Sequence, residues 1–464
     1  MSNKLNFRPI YKYYEAHYPY RILGKIQSST GNVYEVGLNK AIIGSNVEFV
    51  CENGERCFGE VVAIKNGKCL VVPYQDLTGI NSETLVELKE LTTTIEICDE
   101  FLGRVVDFMG NPIDGKGPIV GECETRSIYG EPINPLERTS ITTPLDTGVR
   151  SINSFITVGK GQRISILAGS GVGKSVLMGM IARNTRADIN IIALIGERGR
   201  EVLDFIESDL GIEGLKRSVI VVATSDSSAL IRNKAAYTAT TIAEYFRDKN
   251  NDVMLMMDSI TRFAMANREI SLSAGEPPGQ KGYTPGVFAK LPKLMERAGT
   301  KKNAGSITGI YTVLVEGGDI DEPIADAIRA IADGHIILSR DLATKNHYPA
   351  IDILESISRV MPKVVSKEHR IVSNYLRELL AAYQESEDLI NVGAYVVGTN
   401  QKVDKAIVIH DYLMQLLTQE IDEASTLEET YDKMVELAKL AEQSAGVNID
   451  DDYGNDTSNS FNLI

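Results

Sequence analysis

The run Ala168-Gly169-Ser170-Gly171-Val172-Gly173-Lys174-Ser175-Val176 holds the residues best suited to chemistry. Its glycines and small side chains let backbone N–H groups turn inward onto phosphate oxygens, and a helix starting at its end adds partial positive charge. Lys174 is placed to reach the β- and γ-phosphates of a nucleotide, and the Ser175 hydroxyl to ligate magnesium. Ala168 stands where the common phosphate-loop pattern has Gly, and it is small enough to serve. The same letters also describe a glycine-rich turn with a solvated lysine. Context favours nucleotide binding: an apolar strand at 164–167 precedes the loop and a helical stretch at 175–183 follows it.

Magnesium and water need further groups. Val253-Met254-Leu255-Met256-Met257-Asp258 is an apolar strand ending in a carboxylate, the form that holds magnesium beside a phosphate loop. An Asp in that position is otherwise a helix cap or a turn residue. The strand at 191–195 runs into Gly196-Glu197-Arg198-Gly199-Arg200-Glu201. At the carboxyl end of a parallel strand, that segment opens onto the ligand crevice. Glu197 is therefore a candidate for activating the attacking water, with Arg198 and Glu201 behind it. Taken alone, such a loop is a solvated charged face.

Holding these groups together takes a parallel sheet covered on both faces. Near-continuous apolar runs at 164–167, 191–195, 219–223, 253–257, 310–315 and 335–338 meet that need, separated by helical stretches such as 229–247. The nucleotide domain is expected to span 93–362. Before it, residues 21–92 read as short strands, with Asn53-Gly54 and Asn66-Gly67 as hairpin signals, so a small β-barrel or sandwich is expected. After it, residues 363–445 read as helices. There Ser425-Thr426-Leu427-Glu428 reads as a capping box, and Leu427, Tyr431, Met434 and Leu437 form an apolar stripe. Residues 446–464 carry four Asp and no Lys or Arg, the composition of a disordered acidic tail. In residues 1–20, Phe7, Ile10, Tyr11, Tyr14 and Tyr18 would share a helical face that either packs on the barrel or docks a partner, and Pro9 weakens any helix including it.

The 464 residues correspond to about three domains at roughly 150 residues each. Lys plus Arg number 48 and Asp plus Glu 63, a net charge of −15 that argues against coating nucleic acid by charge. The N-terminus lacks the apolar core of a signal peptide, and no apolar run is long enough to span a bilayer. Cys51, Cys57, Cys69, Cys98 and Cys123 form no C-x-x-C pair, and no His clusters with them. Neither a zinc site nor a redox pair is indicated, and buried, reduced thiols in an intracellular protein are expected.

Three stretches resemble the hexameric rotary-type ATPases: 196–201, Asp258-Ser259-Ile260-Thr261-Arg262-Phe263-Ala264, and Pro349-Ala350-Ile351-Asp352-Ile353-Leu354-Glu355-Ser356-Ile357-Ser358. Within that superfamily the phosphate loop, Gly275-Glu276-Pro277-Pro278 with Lys281-Gly282-Tyr283, and His347-Tyr348-Pro349-Ala350 look most like the flagellar type III protein-export ATPases. The likeness covers nearly the whole chain after residue 20. It implies an α/β fold: a RecA-like P-loop domain with an N-terminal β-barrel and a C-terminal helical domain. It also implies Glu197 as the catalytic carboxylate, Tyr348 as the aromatic stacked on adenine, and Arg359 as a finger lent to the neighbouring subunit. By themselves, Tyr348 is a tyrosine packed beside Pro349 and Arg359 a surface charge.

The resemblance further implies ATP and Mg2+ as cofactors and a homohexamer as the assembly. Its implied partners are a stator-like regulatory protein at residues 1–20, a central stalk protein, export chaperones and substrates, and a membrane export gate, with no nucleic acid. The implied location is the cytoplasm, peripherally against the inner face of the cell membrane. The ATPase of a virulence-type secretion system shares every catalytic residue and stays the near alternative. A rotary synthase catalytic subunit is a further one. A non-catalytic ring subunit would lack Glu197. A hexameric RNA translocase would want a basic, aromatic face, and the first ~90 residues hold no Lys/Arg-rich run.

Overall fold

The computed structural model describes residues 21–51, 54–315 and 322–445. The expected docking segment at 1–20, Asn53 of the first hairpin signal and the acidic tail lie outside these residues. Six antiparallel strands come first: β1 (Ile22–Thr30), β2 (Val33–Val36), β3 (Asn46–Val50), β4 (Arg56–Lys65), β5 (Lys68–Pro73) and β6 (Leu85–Glu90). They close into a barrel in the order β1-β2-β5-β4-β3-β6, so a barrel and not an open sandwich forms. Asn66 and Gly67 make the two-residue turn between β4 and β5 at φ 52° and 75°. That left-handed region matches the twist of the flanking strands, and Asn and Gly enter it cheaply. Val36, Val47, Phe49, Val61 and Val71 fill the interior.

A short ribbon of β7 (Thr94–Ile97) and β9 (Glu124–Ser127) flanks the edge strand β8 (Val105–Val106), and a second ribbon joins β10 (Pro144–Leu145) to β11 (Val158–Gly159). The main sheet adds β12 (Arg163–Ala168), β13 (Ile189–Glu197), β14 (Ser218–Thr224), β15 (Asp252–Asp258), β16 (Gly299–Thr300), β17 (Ser306–Leu314), β18 (Gly334–Leu338) and β19 (Ile351–Ser358). Its order is β19-β18-β12-β17-β15-β13-β14-β8, parallel except for β19, with β16 paired antiparallel to β17. The apolar runs are continuous because both faces are covered. Ile191, Ala193 and Ile195 of β13 face one core, and Ile192 and Leu194 face the other.

Three helices matter to the site: α1 (Lys174–Asn184), α2 (Ala229–Asp248) and α3 (Ile260–Ser273). The barrel rests on the last two, where Val33, Leu70, Val72 and Tyr74 pack against Ala229, Leu230, Ala266 and Ile270. The chain finishes with α4 (Lys367–Asn391), α5 (Gln401–Leu417) and α6 (Leu427–Ala445), whose apolar faces join the core beneath α1. Met434 is fully buried there, and Tyr431 and Leu437 pack at its margin.

Two expectations are corrected. The capping box at the start of α6 is one residue later than expected. The Glu429 carboxylate accepts from the Thr426 N–H at 2.9 Å, and the Glu429 N–H donates to the Thr426 hydroxyl at 3.2 Å. Ser425 is not the cap because its hydroxyl is buried against that of Thr430, 3.2 Å away. The cysteines are free thiols, but only Cys51, Cys57, Cys69 and Cys98 are buried; Cys123 is exposed, on a loop that runs over the surface.

Candidate active site

The phosphate loop leaves β12 at the carboxyl end of the sheet, where Ala168 pairs with Leu314 of β17 and Leu338 of β18. Gly171 and Gly173 sit at φ 77° and 88°. Any side chain would strain the backbone at those angles. A Cβ on Gly171 would meet nothing within 4 Å, so the loop opens as a cradle into a cleft of about 900 Å³. Gly169, Ser170, Lys174, Ser175, Val176, Glu197 and Arg198 all line that cleft.

Lys174 is the centre of its charge. The Nζ lies 2.5 Å from Asp258 Oδ1 and 3.5 Å from Glu197 Oε1. Burial pulls the ammonium down, but the two carboxylates outweigh burial and hold it above the ordinary lysine value. Asp258 ends β15, is 3% exposed, and also accepts from the Thr312 hydroxyl at 2.7 Å. Glu197 ends β13 next to it. Burial, aided by Asp258 and Glu201 and opposed by Lys174, pushes its carboxyl up to about 7. That places it near neutrality, as a base for water requires. Arg198 lies at the cleft rim, ion-paired to Glu201 at 3.3 Å.

The remaining candidates divide. Tyr348 comes beside the loop: its ring atoms stand 3.5 Å from where a Cβ on Gly173 would sit, and the ring is part exposed. Arg359 does not reach this cleft. It follows β19, whose last residue pairs with Gly334 at the amino end of β18, whereas the loop lies at the carboxyl end near Leu338. Four rungs of strand separate the two ends, roughly 13 Å. The exposed Arg359 guanidinium donates only to the carbonyls of Ala332 and Arg329, each at 3.4 Å, among the described residues.

Three site residues escaped assignment from sequence. Thr312 anchors Asp258, and a threonine inside an apolar strand was its only signal. Arg262 lines the cleft with its side chain against Gly196, where a Cβ would come within 2.9 Å of Arg262 Cγ; its buried Nε has no hydrogen-bond partner among the described residues. Arg340 follows β18 and brings a guanidinium nitrogen 3.6 Å from the Cβ position of Gly169. Its position just past a strand beside the phosphate-loop strand could have marked it. The Ser175 hydroxyl and the buried Asp258 carboxylate are hard oxygen donors of the kind that suit magnesium, and the residues present fit that ion.

Strand, cradle, lysine and paired carboxylates define a P-loop nucleotide-binding protein with a RecA-like sheet. Residues 148–358 match the family model of the ATP synthase alpha/beta family nucleotide-binding domain, and residues 365–436 that of the T3SS EscN ATPase C-terminal domain. The "Flagellum-specific ATP synthase" of Bacillus subtilis is 51% identical over 410 residues, 88% of this chain and 92% of the relative. The "Type 3 secretion system ATPase" of Xanthomonas euvesicatoria is 47% identical over 88% of this chain and 92% of its own length. Among solved structures, the assembled ATPase EscN of the enteropathogenic E. coli type III secretion system superposes with a TM-score of 0.85 at 43% identity, covering 89% of this chain and 99% of that one. EscN is also known in complex with its central stalk EscO, with a TM-score of 0.83 at 43% identity, covering 89% of this chain and 99% of that one. The chain belongs to the family of flagellar and type III secretion ATPases.

Proposed function

We propose that this chain hydrolyses ATP as the motor subunit of the flagellar type III protein-export apparatus, working as a homohexamer. The observation that carries the reading is Lys174 held between Asp258 and Glu197 at the mouth of an open glycine cradle. Backbone N–H groups of the loop bind the phosphates, and Lys174 turns from the carboxylates to the β- and γ-phosphoryl oxygens. Ser175 and Asp258 would hold Mg2+, which when bound neutralises charge on those oxygens. Glu197 accepts a hydrogen bond from the attacking water and aligns it with the γ-phosphorus. Tyr348 provides a face for the adenine ring. Arg359, remote from its own cleft, serves the site of the next subunit.

The central stalk seen with EscN is the partner expected beneath the ring, with a stator-like protein at residues 1–20. Export chaperones and substrates complete the assembly at a membrane gate, which places the chain in the cytoplasm against the inner face of the membrane. No helix among the described residues is long and apolar enough to cross a membrane. The match of residues 365–436 to the EscN C-terminal domain keeps a virulence-type system as the second reading.

Glu197→Gln is expected to bind magnesium–ATP normally and to lose steady-state hydrolysis; near wild-type turnover would remove the water-aligning role. Deleting the gene should abolish filaments and swimming, whereas motile cells with intact filaments would leave the secretion-system reading.

A further inference from the structure

The ribbon of β7 and β9 pairs Thr94 with Ser127, Ile95 with Arg126, Glu96 with Thr125 and Ile97 with Glu124. Continuing that register by one step sets Cys98 opposite Cys123. Backbone at Cys98 remains extended, at φ −141° and ψ 173°, so strand geometry carries through it. Directly opposed residues of an antiparallel pair lie on one face with Cβ atoms ~4.5–5.5 Å apart. The Cα atoms of such opposed residues, ~4.5–5.5 Å apart, fall within the ~4.4–6.8 Å that a disulfide bridges. The thiols do interact, since Cys123 is among the groups acting on the Cys98 thiol. One member is accessible and the other is not: Cys123 is exposed and Cys98 fully buried.

We propose that Cys98 and Cys123 form a reversible disulfide, a redox modification site that takes small disulfides of the glutathione class as oxidant. The Cys123 thiolate attacks one sulfur of the small disulfide, forms a mixed disulfide and releases one small thiolate. Cys98 then loses its proton to solvent and attacks Cys123 Sγ, and the second small thiolate leaves. Two protein thiols are oxidised, and one small disulfide is reduced to two thiols. Burial, with Cys123 and Glu100 adding to it, pushes the Cys98 thiol up to about 12, which makes the second step the slow one.

The bond would close residues 99–122 into a loop. That loop contains the edge strand β8, which pairs with β14, and Asp99, which accepts from Tyr245 of α2 at 3.1 Å and from Lys249 just past its end at 2.6 Å. The other close pair lacks this geometry. Phe49 opposes Cys57 and Val50 opposes Arg56, so the next rung sets Glu55 against Cys51, and both of those thiols are buried.

The full chain treated with excess oxidised glutathione, then mapped by non-reducing peptide mass spectrometry, tests the site. Expected are a loss of two hydrogen masses, a linked peptide pair holding Cys98 and Cys123, reversal by dithiothreitol, and free thiols at Cys51 and Cys57. The oxidised chain should also melt at a higher temperature, because a closed loop restricts the unfolded state. Cys98→Ser should retain glutathione on Cys123, and Cys123→Ser should take up none. A wild-type chain that keeps glutathione on Cys123 without closing, or whose Cys123 fails to react, overturns the proposal. That reading needs no variant, so it stands even where Cys98→Ser does not fold.

Discussion

Lys174, largely buried, and Lys234, fully buried, both lie beside carboxylates, yet their ammonium groups move in opposite directions. Lys174 is raised, because Asp258 at 2.5 Å and Glu197 at 3.5 Å outweigh its desolvation. Lys234, on α2 beneath the barrel, is 0% exposed and is lowered, because burial outweighs the pull of Glu60 at 2.5 Å and, after it, of Glu90. Its other contacts are neutral oxygens: Asn46 at 3.3 Å, Tyr74 at 2.5 Å and Thr93. Glu60 is in turn held by Tyr129 at 2.8 and 2.9 Å. The junction is thus a closed network linking barrel strands, the segment after them and a nucleotide-domain helix. A network of that kind costs heavily if one member is lost, and it gains nothing from moving. In the cleft Lys174 alone faces two carboxylates, an imbalance that a magnesium–nucleotide complex rearranges. Burial alone does not tell a working lysine from an architectural one; the balance of its partners does.

The largest expected effect follows from that balance. Two cations of the cleft are already engaged, Lys174 with its carboxylates and Arg198 with Glu201. Arg262 and Arg340 also line the cleft, and Arg359, exposed at the far end of the sheet, is expected to add its charge at the γ-phosphate of the next subunit. Arg359→Ala should lower turnover by ~10³-fold or more, the scale of arginine fingers. Arg359→Lys should be badly impaired too, since it keeps the charge but loses the planar fork. Rings mixed from Arg359→Ala and Glu197→Gln subunits should regain part of the activity, because some interfaces pair an intact Glu197 with an intact Arg359. Normal turnover by Arg359→Ala alone, or no recovery in rings shown to be mixed, would break the shared-site model.

The two lysines should then come apart under substitution. Lys234→Met leaves Glu60 buried without its cation and should cost about 3–5 kcal/mol in denaturant unfolding. Adding Glu60→Gln should restore part of that loss, and turnover by the folded fraction should stay near wild type. Lys174→Met should do the reverse. Turnover should fall ~10²–10³-fold, the cost of removing one charge-stabilising donor, with a much smaller loss of stability. Equal losses of stability in both variants would refute the distinction.

What could be read from sequence was local. The phosphate loop announces itself because the positive φ of Gly171 and Gly173 and the strand and helix around them lie within a few residues. Asn66-Gly67 is legible for the same reason. Ser425 and Thr426 each precede a Glu by three residues, so two capping boxes overlap, and only the burial of Ser425 against Thr430 chooses between them. Lys234 looks like a solvent-facing residue of α2 until the barrel is laid on that helix. Cys98 and Cys123 share a rung that no spacing rule reveals, because the strands bearing it are four residues long and far apart in the chain. Arg340 and Thr312 enter the site through strand order, which the letters do not carry.

The smallest expected effect concerns pH and isolates the surplus carboxylate. Glu197 titrates near 7 in the folded chain, against an ordinary value of 4.5, because burial and then Asp258 disfavour its charge more than Lys174 favours it. Between those values the folded chain holds a proton that the unfolded chain has released. The contribution of this carboxyl to stability is therefore present at low pH and is lost as pH rises through that window. Glu197→Gln stays neutral throughout and escapes the loss. Its melting temperature relative to wild type should rise from about pH 5 to about pH 8, by the equivalent of about 1–2 kcal/mol once solvent screening in the open cleft is allowed for. In the wild type, kcat/KM reports the free enzyme and should fall on the acid side of pH 7 as Glu197 takes up its proton. A flat difference in melting temperature together with an acid limb well below 7 would mean that Lys174 holds Glu197 ionised, and the cleft would then be as balanced as the junction.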